Sequence, residues 1–430
     1  MTVPRESFVL KKLSSRFVEI AVWTVLSIAV YGFFLSLSLP RITEPADWDE
    51  PQWILVSQIY FYLAYHGDFS NQLWNYNFGT YGRNNPKIAQ YFIGAPIFFS
   101  GNVDLGFKTA KWDWYKSFAE NERAGLTPRF LTLFYGRLLI PFLGAACALL
   151  FFLLMARSMH WIPALAAAIF LGSHPLFVSY SAKALQDVPT LFFCMLFLSV
   201  MSLLDWRKAM AGSWLKALTY SVIAGFLLGL AIGTKMNNLA LLMVFAIFLG
   251  WLCLDLAEGR PRLLVRQSAK ALFLGALALL VCAKTAIQSN PYLYADSLQA
   301  TMEKSRALFE LSSIVRSYPA IALKSYASKI KAINRNLCPK RSLAPLAGAV
   351  MVFGFVCFLC RFRKALKQNQ VGEADRLTWL GLAGLIIFAA NFFWLPFDWA
   401  RFFIPFLLPA AILIGFAAEG LVKFGIRNRG

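Results

Sequence analysis

The sequence predicts an all-α polytopic membrane protein with about ten transmembrane helices, and at most thirteen. Of its 430 residues, 58% are hydrophobic and only 15% are charged, and the mean hydropathy is +0.57. A soluble domain carries about 25% charged residues, so this chain requires a solvent less polar than water. Its apolar residues also occur in long runs, and about 20 such residues span a bilayer as a helix.

Ten apolar runs divide the chain from end to end. The first, 18–39, follows a basic N-terminal segment and is too long for the core of a signal peptide, so we expect an anchoring helix. The third and fourth runs are marginal, because Pro175 and the segment 187–189 interrupt them. The later runs lie near 130–155, 161–178, 188–204, 217–233, 237–254, 271–287, 343–360, 377–396 and 402–419.

The basic residues orient these helices. The net charge is +20, and basic clusters lie in the N-terminal segment, near 207–216, 260–270 and 361–367, and at the C-terminus. Counted from a cytoplasmic N-terminus, every cluster falls on the cytoplasmic side, as the positive-inside rule requires. We therefore expect a multi-pass membrane protein with both termini cytoplasmic. Anionic membrane lipids explain the remaining charge, and no nucleic-acid-binding signature accompanies it.

We expect one transmembrane domain over 1–430, with two long loops on the non-cytoplasmic side. The loop 40–129 contains an acidic motif, and the loop 288–342 is strongly basic. Long loops cross the membrane largely regardless of charge, so the basic loop leaves the orientation unchanged. This second loop is either a cover over a functional site or a peripheral helix pair attracted to lipid headgroups.

The acidic motif comes directly after the first span. Asp47, Asp49 and Glu50 place three carboxylates at the membrane surface. The apolar and aromatic run 54–65 follows, and its pattern suits an amphipathic helix lying in the interface. A purely structural explanation stays open, with Asp49 as the N-cap of this helix and the acidic residues favoured by the helix dipole.

Single polar residues also mark the outer ends of later spans. They are Asp187 before the fourth, Lys235 after the fifth, Asn290 after the seventh and Arg401 at the tenth. Ionisable groups at membrane depth are costly and usually functional. Snorkelling explains Lys235 or Arg401 taken alone. All four residues, however, fall on the face that carries the acidic motif, which favours one shared site.

Carboxylates and cations at a membrane surface suit one reaction in particular. A carboxylate can accept a proton from an acceptor hydroxyl or amine that attacks a sugar carbon. Lys and Arg can stabilise the negative charge that grows on a phosphate leaving group. A donor with a lipid tail would keep such a site at the bilayer surface. These requirements together point to sugar transfer from a polyprenyl-phosphate donor.

Beside these charged residues, several short motifs follow one another along the chain. They are Asp49-Glu50, Gly67-Asp68, Asn85-Pro86, the runs 91–96, 135–138, 174–189 and 225–235, Asn290-Pro291 and the run 400–405. In these motifs the chain resembles the GT-C glycosyltransferase superfamily, in particular the bacterial relatives of protein mannosyltransferases and the lipid A aminoarabinose transferase. The resemblance implies a GT-C-like membrane domain, a location in a bacterial inner membrane and an inverting transfer from a polyprenyl-phosphate sugar.

The resemblance also implies roles for individual residues. Asp49 would be the catalytic base, Glu50 its support and Asp187 a second acid at the acceptor site. Lys235 and Arg401 would bind the donor phosphate. The acceptor-side or supporting positions would be Asp47, Tyr91, Arg137 and Asn290.

The first loop departs from the closest relatives of this kind. Those that modify lipid A carry a Lys before two prolines, whereas residues 83–87 here read Arg-Asn-Asn-Pro-Lys. Whether Arg83 or Lys87 contacts the phosphate is therefore open. The three histidines stand apart in the sequence, so we expect no required metal or other cofactor. A divalent cation held by Asp47, Asp49 and Asp187 is the remaining alternative.

Two other functions compete with the transferase. A lipid or glycan transporter or flippase would use intramembrane charges as pathway residues. Against it, the charges lie at one surface rather than near the midplane, and no internal repeat is evident. A non-catalytic assembly subunit is the third alternative. The sequence leaves open which sugar is moved and whether the acceptor is a lipid, a glycan or a protein.

Overall fold

The computed structural model describes residues 6–47, 49–75, 85–106, 116–257, 260–291, 322–338, 340–368 and 376–427. Apart from loops and an isolated β-bridge between Ala322 and Phe397, the secondary structure of these ranges is helical. The predicted all-α membrane class is therefore confirmed.

The helices lie where the apolar runs predict them. In chain order they are α1 Glu6–Ser38, α2 Glu50–Tyr65, α3 Ile88–Phe99, α4 Phe118–Arg123, α5 Phe130–Arg137, α6 Ile140–Ala156, α7 Trp161–Ser173, α8 Pro175–Tyr180, α9 Asp187–Leu203, α10 Trp206–Ala211, α11 Trp214–Thr234, α12 Ala240–Ala257, α13 Pro261–Gln288, α14 Tyr326–Leu337, α15 Ala344–Gln368, α16 Arg376–Trp394 and α17 Ile404–Arg427. Short 3-10 turns precede α12 and α17, at Met236–Leu239 and Ala400–Phe403.

Eight segments among the described residues are long and apolar enough to cross a membrane. They are Ile20–Thr43, Phe130–Ala156, Trp214–Thr234, Met236–Ala257, Pro261–Gln288, Ala344–Ala365, Arg376–Trp394 and Ala400–Phe424. The two marginal runs become the shorter apolar helices α7, of 13 residues, and α9, of 17 residues. Helix α7 ends at Ser173, directly before His174 and Pro175, because proline at the start of α8 cannot donate a helical hydrogen bond.

Close helix contacts depend on small residues. A Cβ atom at Gly225 of α11 would lie 2.3 Å from the carbonyl oxygen of Ala278 on α13. A Cβ atom at Gly354 of α15 would lie 2.0 Å from the carbonyl oxygen of Leu413 on α17. Lipid chains are as apolar as leucine, so membrane helices associate largely through such close packing.

Helix α2 confirms the helix expected after the acidic motif, but it is more buried than an interfacial helix need be. Its residues 50–58 are all buried, and Gly94 lets α3 approach within contact of the Ser57 carbonyl. The α2 side chains with large exposed apolar surfaces are Tyr62 and Tyr65, near its C-terminus. The core of the first loop therefore holds the start of α2 in a fixed position.

The opposite ends of the helices carry the basic clusters. Arg207 pairs with Asp255 at 3.3 Å, which joins α10 to the end of α12. Lys270 of α13 donates to the carbonyl of Met210 at 2.8 Å, at the end of α10. Arg376, at the start of α16, lies near enough to lower the pKa of Asp205, after the larger effects of Lys208 on that carboxylate. Two of the predicted basic clusters, those near 207–216 and 260–270, thus lie at one end of the bundle.

Candidate functional site

Four acid–base pairs lie together at the other end of the bundle, and we call them the charge cluster. The pairs are Asp47–Lys183, Asp49–Arg401, Glu50–Arg137 and Asp187–Lys235. Three of the acids belong to the segment before and at the start of α2. The four cations come from four separate parts of the chain, so the cluster is a product of the tertiary fold.

The Glu50–Arg137 pair is the most buried of the four. The Glu50 side chain is fully buried, and Arg137 donates to both of its oxygens, at 2.7 Å from Nε and 2.5 Å from Nη2. The Arg137 guanidinium also donates to the carbonyls of Ile42 and Glu44, at 2.9 and 2.5 Å. The amide of Ala184 donates to Glu50 at 2.7 Å. This pair therefore ties the chain between α1 and α2 to α5 and to the loop before α9.

Asp49 is the N-cap residue of α2, yet its side chain makes no capping hydrogen bond. Its carboxylate pairs instead with Arg401, which lies in the 3-10 turn before α17. Both residues are less than 10% exposed. The position of Asp49 thus agrees with the N-cap explanation, whereas its side chain takes part in the cluster.

Asp187 and Lys235 form a second buried pair, at 2.6 Å between Oδ1 and Nζ. Lys235 lies in extended backbone between α11 and the next 3-10 turn and is 7% exposed, so it does not snorkel to the surface. The other oxygen of Asp187, Oδ2, is buried without a hydrogen-bond partner. Asp187 also lines a cavity of about 20 Å³, which borders Asn237 and Asn391 as well and has room for a water molecule.

Tyr180, at the end of α8, lies close to several of these charges. Burial raises the pKa of its hydroxyl above the usual value, and three carboxylates add to the effect. They are Asp47, Asp187 and Asp49, while the cation of Arg401 acts in the opposite direction. One phenol therefore lies within electrostatic reach of three of the four pairs.

The ring of Phe402 brings the two candidate phosphate-binding cations together. Lys235 Nζ lies 5.6 Å from its centroid, and the Arg401 guanidinium carbon lies 5.4 Å from it. The same guanidinium lies 5.2 Å from the ring of Trp399. An aromatic surface beside two cations favours both by cation–π attraction and keeps them close together.

A second group of predicted residues meets where α3 and α13 touch. The amide of Lys87 donates to Asn290 Oδ1 at 2.8 Å, and the Tyr91 hydroxyl donates to the carbonyl of Ser289 at 3.1 Å. Gly233, near the end of α11, adjoins both Ser289 and Ile88. The group therefore lies beside the backbone that leads to Lys235. Arg83 lies outside the described residues.

Lys87 is fully buried, with Nζ 4.1 Å from the centroid of Tyr60 and 2.9 Å from the carbonyl oxygen of Asn85. Burial lowers the pKa of its ammonium well below the usual value. Tyr60 in turn stacks on Trp74, with ring centroids 5.1 Å apart. Lys87 thus contributes to the core of the first loop.

Helix α14, from the second long loop, lies across the segment that leads to Arg401. Leu323 donates its amide to the carbonyl of Pro396 at 2.9 Å, and Arg335 pairs with Asp398. Lys329 donates to the carbonyls of Phe392 and Phe393 at the end of α16, at 3.0 and 2.9 Å. Helix α14 and the residues before it therefore pack against the segment that leads to Arg401.

Sequence reasoning missed one residue of the charge cluster, Lys183, and one residue beside it, Tyr180. Lys183 pairs with Asp47 and lies 4.6 Å from the ring centroid of Tyr180. A signal was available, since Lys183 is the only Asp, Glu, Lys or Arg between Arg157 and Asp187. Tyr180 carried no such signal, because an aromatic residue at the end of an apolar run is unremarkable.

Metal ligands do not gather in the part of the chain that the structure describes. No group of three or more His, Cys, Asp or Glu side chains there has the geometry to hold a metal ion. The carboxylates named for a divalent cation, Asp47, Asp49 and Asp187, each pair with a lysine or an arginine.

The fold resembles that of solved membrane glycosyltransferases. It matches the archaeal oligosaccharyltransferase AglB from Archaeoglobus fulgidus, in complex with an inhibitory peptide and a dolichol-phosphate, with a TM-score of 0.51 and 13% identity. The match covers 94% of this chain and 52% of AglB. A structure of the Archaeoglobus fulgidus enzyme with Zn and sulfate gives a TM-score of 0.50 at 16% identity, over 93% of this chain and 50% of that one. This chain has the GT-C fold.

A weaker match has a TM-score of 0.49 and 13% identity, over 95% of this chain and 63% of the other. It is ArnT from Cupriavidus metallidurans bound to undecaprenyl phosphate. The chain thus spans between half and two thirds of the length of these proteins. No protein-family profile and no curated protein sequence matches it.

Proposed function

We propose that this protein is a membrane glycosyltransferase that moves a sugar from a polyprenyl-phosphate donor to an acceptor on the non-cytoplasmic side. The observation that carries the proposal is the adjacency of the Asp49–Arg401 and Asp187–Lys235 pairs at one end of a GT-C fold. The AglB structure with dolichol-phosphate supports a lipid-phosphate ligand for this fold.

The reaction is an inverting displacement. An acceptor hydroxyl or amine attacks the anomeric carbon while the bond from that carbon to the phosphate oxygen breaks. The Asp49 carboxylate accepts the acceptor proton, and the polyprenyl phosphate leaves with the bonding electrons. Arg401 and Lys235 bind the phosphate oxygens and stabilise the charge that develops on them. Asp187 orients Lys235, and its second oxygen can accept a hydrogen bond from the acceptor.

Burial strengthens this electrostatic arrangement. The two acids and two cations are each less than 10% exposed, so little water screens them. The pairs also neutralise one another in the absence of substrate, which lets four charges lie in a low-dielectric site. Both carboxylate oxygens of Glu50 already accept hydrogen bonds from Arg137. Glu50 therefore supports Asp49 indirectly, by holding the start of α2 in place.

The test compares glycan and lipid profiles of a deletion strain rescued with different variants. The wild-type gene should restore the missing glycan, whereas Asp49→Asn and Asp187→Asn should not, although both proteins reach the membrane. The control is Asp205→Asn, since Asp205 is an exposed N-cap at the opposite end and asparagine caps equally well. Restoration of the profile by Asp49→Asn would refute the catalytic assignment. Flux of donor lipid through proteoliposomes, without sugar transfer, would indicate the flippase instead.

A further inference from the structure

The Asp47–Lys183 pair is the one pair of the charge cluster that has no part in the proposed reaction. It is also the most open of the four, since the Lys183 and Asp47 side chains are 19% and 22% exposed, whereas those of the other pairs are at most 11% exposed. The backbone nevertheless fixes its position. The amides of Asp47 and Ala184 donate to the two oxygens of Glu50, at 2.6 and 2.7 Å, so one buried carboxylate holds both sides of the pair.

Lys183 also holds the ring of Tyr180. Its Nζ lies 4.6 Å from the ring centroid, a distance at which cation–π attraction keeps the two side chains together. The ring itself packs against two apolar cores, that of the main bundle and that around α2 and α3. Held by a cation and by apolar contacts, the ring has little freedom to turn, so the fold determines where its hydroxyl lies.

The Tyr180 hydroxyl makes no hydrogen bond within the part of the chain that the structure describes, and it is not among the polar atoms that packing seals from solvent. Burial and the carboxylates of Asp47, Asp187 and Asp49 raise its pKa above the usual value. The hydroxyl therefore keeps its proton and can donate a hydrogen bond. Because each of these carboxylates already pairs with a lysine or an arginine, the hydroxyl is available to a substrate.

The surroundings of this hydroxyl coincide with the proposed phosphate site. Helix α8, which ends at Tyr180, packs against α9 and against the 3-10 turn Ala400–Phe403. These two elements contain Asp187 and Arg401, and Lys235 pairs with Asp187. Lys235 and Arg401 lie 5.6 and 5.4 Å from one aromatic ring, so a phosphate between them would lie beside α8 and within reach of its last residue.

Given the transferase function on which this inference rests, we propose that the Tyr180 hydroxyl donates a hydrogen bond to a phosphate oxygen of the polyprenyl-phosphate donor, and that the Asp47–Lys183 pair positions it. Tyr180 contacts the substrate, whereas Lys183 acts through Tyr180. The phosphate then has an uncharged hydrogen-bond donor in addition to its two cations. This arrangement explains why a fourth ion pair is built into the cluster although neither of its members binds the phosphate.

The test measures equilibrium binding of labelled undecaprenyl phosphate to the purified protein in nanodiscs. Tyr180→Phe removes only the hydroxyl and should weaken binding by about tenfold, the effect of one hydrogen bond to a charged group. Its melting temperature should not fall, because the hydroxyl has no partner in the described residues. The matched control is Tyr220→Phe. Tyr220 is also partly exposed and makes no hydrogen bond within the described ranges, but it lies about 21 Å before the end of α11, so neither quantity should change.

A second variant separates this inference from the proposed function. The double variant Asp49→Asn/Arg401→Met removes a phosphate-binding cation together with its partner, so that no buried charge is left alone. It should bind undecaprenyl phosphate more weakly than wild type. Weaker binding in this variant with unchanged binding in Tyr180→Phe would overturn the role of Tyr180 alone. Unchanged binding in both variants would overturn the phosphate site as well.

A double-mutant cycle tests the positioning by Lys183. Lys183→Met removes the cation from the ring and should weaken binding by about threefold, the effect of one cation–π contact. Lys183→Arg keeps a cation there that can pair with Asp47, and it should bind the lipid as wild type does. In the Tyr180→Phe background, Lys183→Met should cause no further loss, because the hydroxyl through which it acts is already absent. If the two losses instead add in full, Lys183 binds the phosphate directly, and its assignment as a positioning residue is overturned.

Discussion

Asp49 and Arg401 hold each other in the structure, although the proposed reaction requires one as a base and the other as a phosphate ligand. Lys235 is likewise held by Asp187. An entering phosphate therefore competes with carboxylates for these cations. In this view, donor binding draws Arg401 toward the phosphate and leaves Asp49 more able to accept a proton, so the base gains strength once the donor is present.

This competition predicts that Asp49→Asn has two opposite effects. Transfer should be lost, while the affinity for undecaprenyl phosphate should rise by about tenfold, because Arg401 no longer interacts with a negative charge. Equilibrium binding of a labelled lipid to the purified protein in nanodiscs measures the affinity. Asp205→Asn should change neither quantity. A weaker affinity in Asp49→Asn would mean that the carboxylate assists phosphate binding, contrary to this account.

Lys87 makes the free energy of unfolding depend on pH, and the burial of its side chain determines the sign of this dependence. Because the folded state lowers the pKa of Lys87, the unfolded chain binds its proton more readily. Between the lowered pKa and about 10.4, the free energy of unfolding therefore increases with pH. Lys87→Met should be more stable than wild type at neutral pH, and the difference should shrink as the pH approaches 10. Thermal unfolding in detergent at several pH values measures this.

The control for Lys87 is Lys340→Met, which removes a lysine with an exposed side chain. It should leave the pH dependence of the melting temperature close to that of wild type. A Lys87→Met protein that is less stable than wild type at neutral pH would mean that the ammonium contributes more through its contacts with Tyr60 and Asn85 than burial costs it.

At the scale of secondary structure elements, the start of α2 depends on the Glu50–Arg137 pair. Glu50→Gln leaves the Arg137 charge buried without its full partner, and loss of one member of a buried pair costs about 3–5 kcal/mol. Glu44→Gln, which removes a carboxylate that is 49% exposed from a pair with Arg41, should cost about 1 kcal/mol or less. Unfolding by denaturant in detergent compares the two. A Glu50→Gln protein that is stable but inactive would argue for a direct catalytic role instead.

The contact between α11 and α13 gives a prediction about a glycine. Alanine at Gly225 places a Cβ atom 2.3 Å from the carbonyl oxygen of Ala278, so the helices must separate. Overpacking of this kind costs about 1–3 kcal/mol. Gly250 of α12 has open space around it, and alanine there should be neutral or stabilising by up to about 1 kcal/mol. The melting temperatures of the two single variants distinguish two explanations. Close packing predicts destabilisation at Gly225 only, whereas helix propensity alone predicts stabilisation at both positions.

At the scale of the whole molecule, hydropathy explains most of the fold. All ten predicted apolar runs are helical, and Pro175 ends α7 as expected. Counting the crossings also brings Asp49, Asp187, Lys235 and Arg401 to one end without any knowledge of packing. This works because membrane helices must alternate in direction, so the position of a residue along its span determines the end at which it lies.

The pairing of the charges could not be predicted in the same way. Which acid meets which cation depends on the rotation of each helix about its axis, and an apolar run of uniform hydropathy does not encode that rotation. Glu50 and Arg137 are 87 residues apart, and their contact depends on how α2 and α5 pack. The burial of α2 was missed for a related reason, since its partner α3 lies inside a long loop and is itself apolar.

We infer the side of the membrane that holds the charge cluster from the basic residues at the other end of the bundle. Arg207, Lys208, Lys270 and Arg376 lie at the end opposite Asp49, and positively charged loops remain in the cytoplasm. We therefore expect cysteine at Ser70, an exposed residue after α2, to react with a membrane-impermeant maleimide in intact cells. Cysteine at the exposed Lys208 should react only after permeabilisation.

Both substitutions are made in a protein whose exposed native cysteine is replaced by Cys360→Ala. The labelled fraction in intact cells, relative to that in permeabilised cells, should be close to one for Ser70→Cys and close to zero for Lys208→Cys. The reverse pattern would place the charge cluster in the cytoplasm, where a donor facing the cytoplasmic leaflet would be required. The positive-inside rule is based on short loops. The reverse pattern would therefore also mean that the long basic loop after α13, and not the short basic loops, had set the orientation.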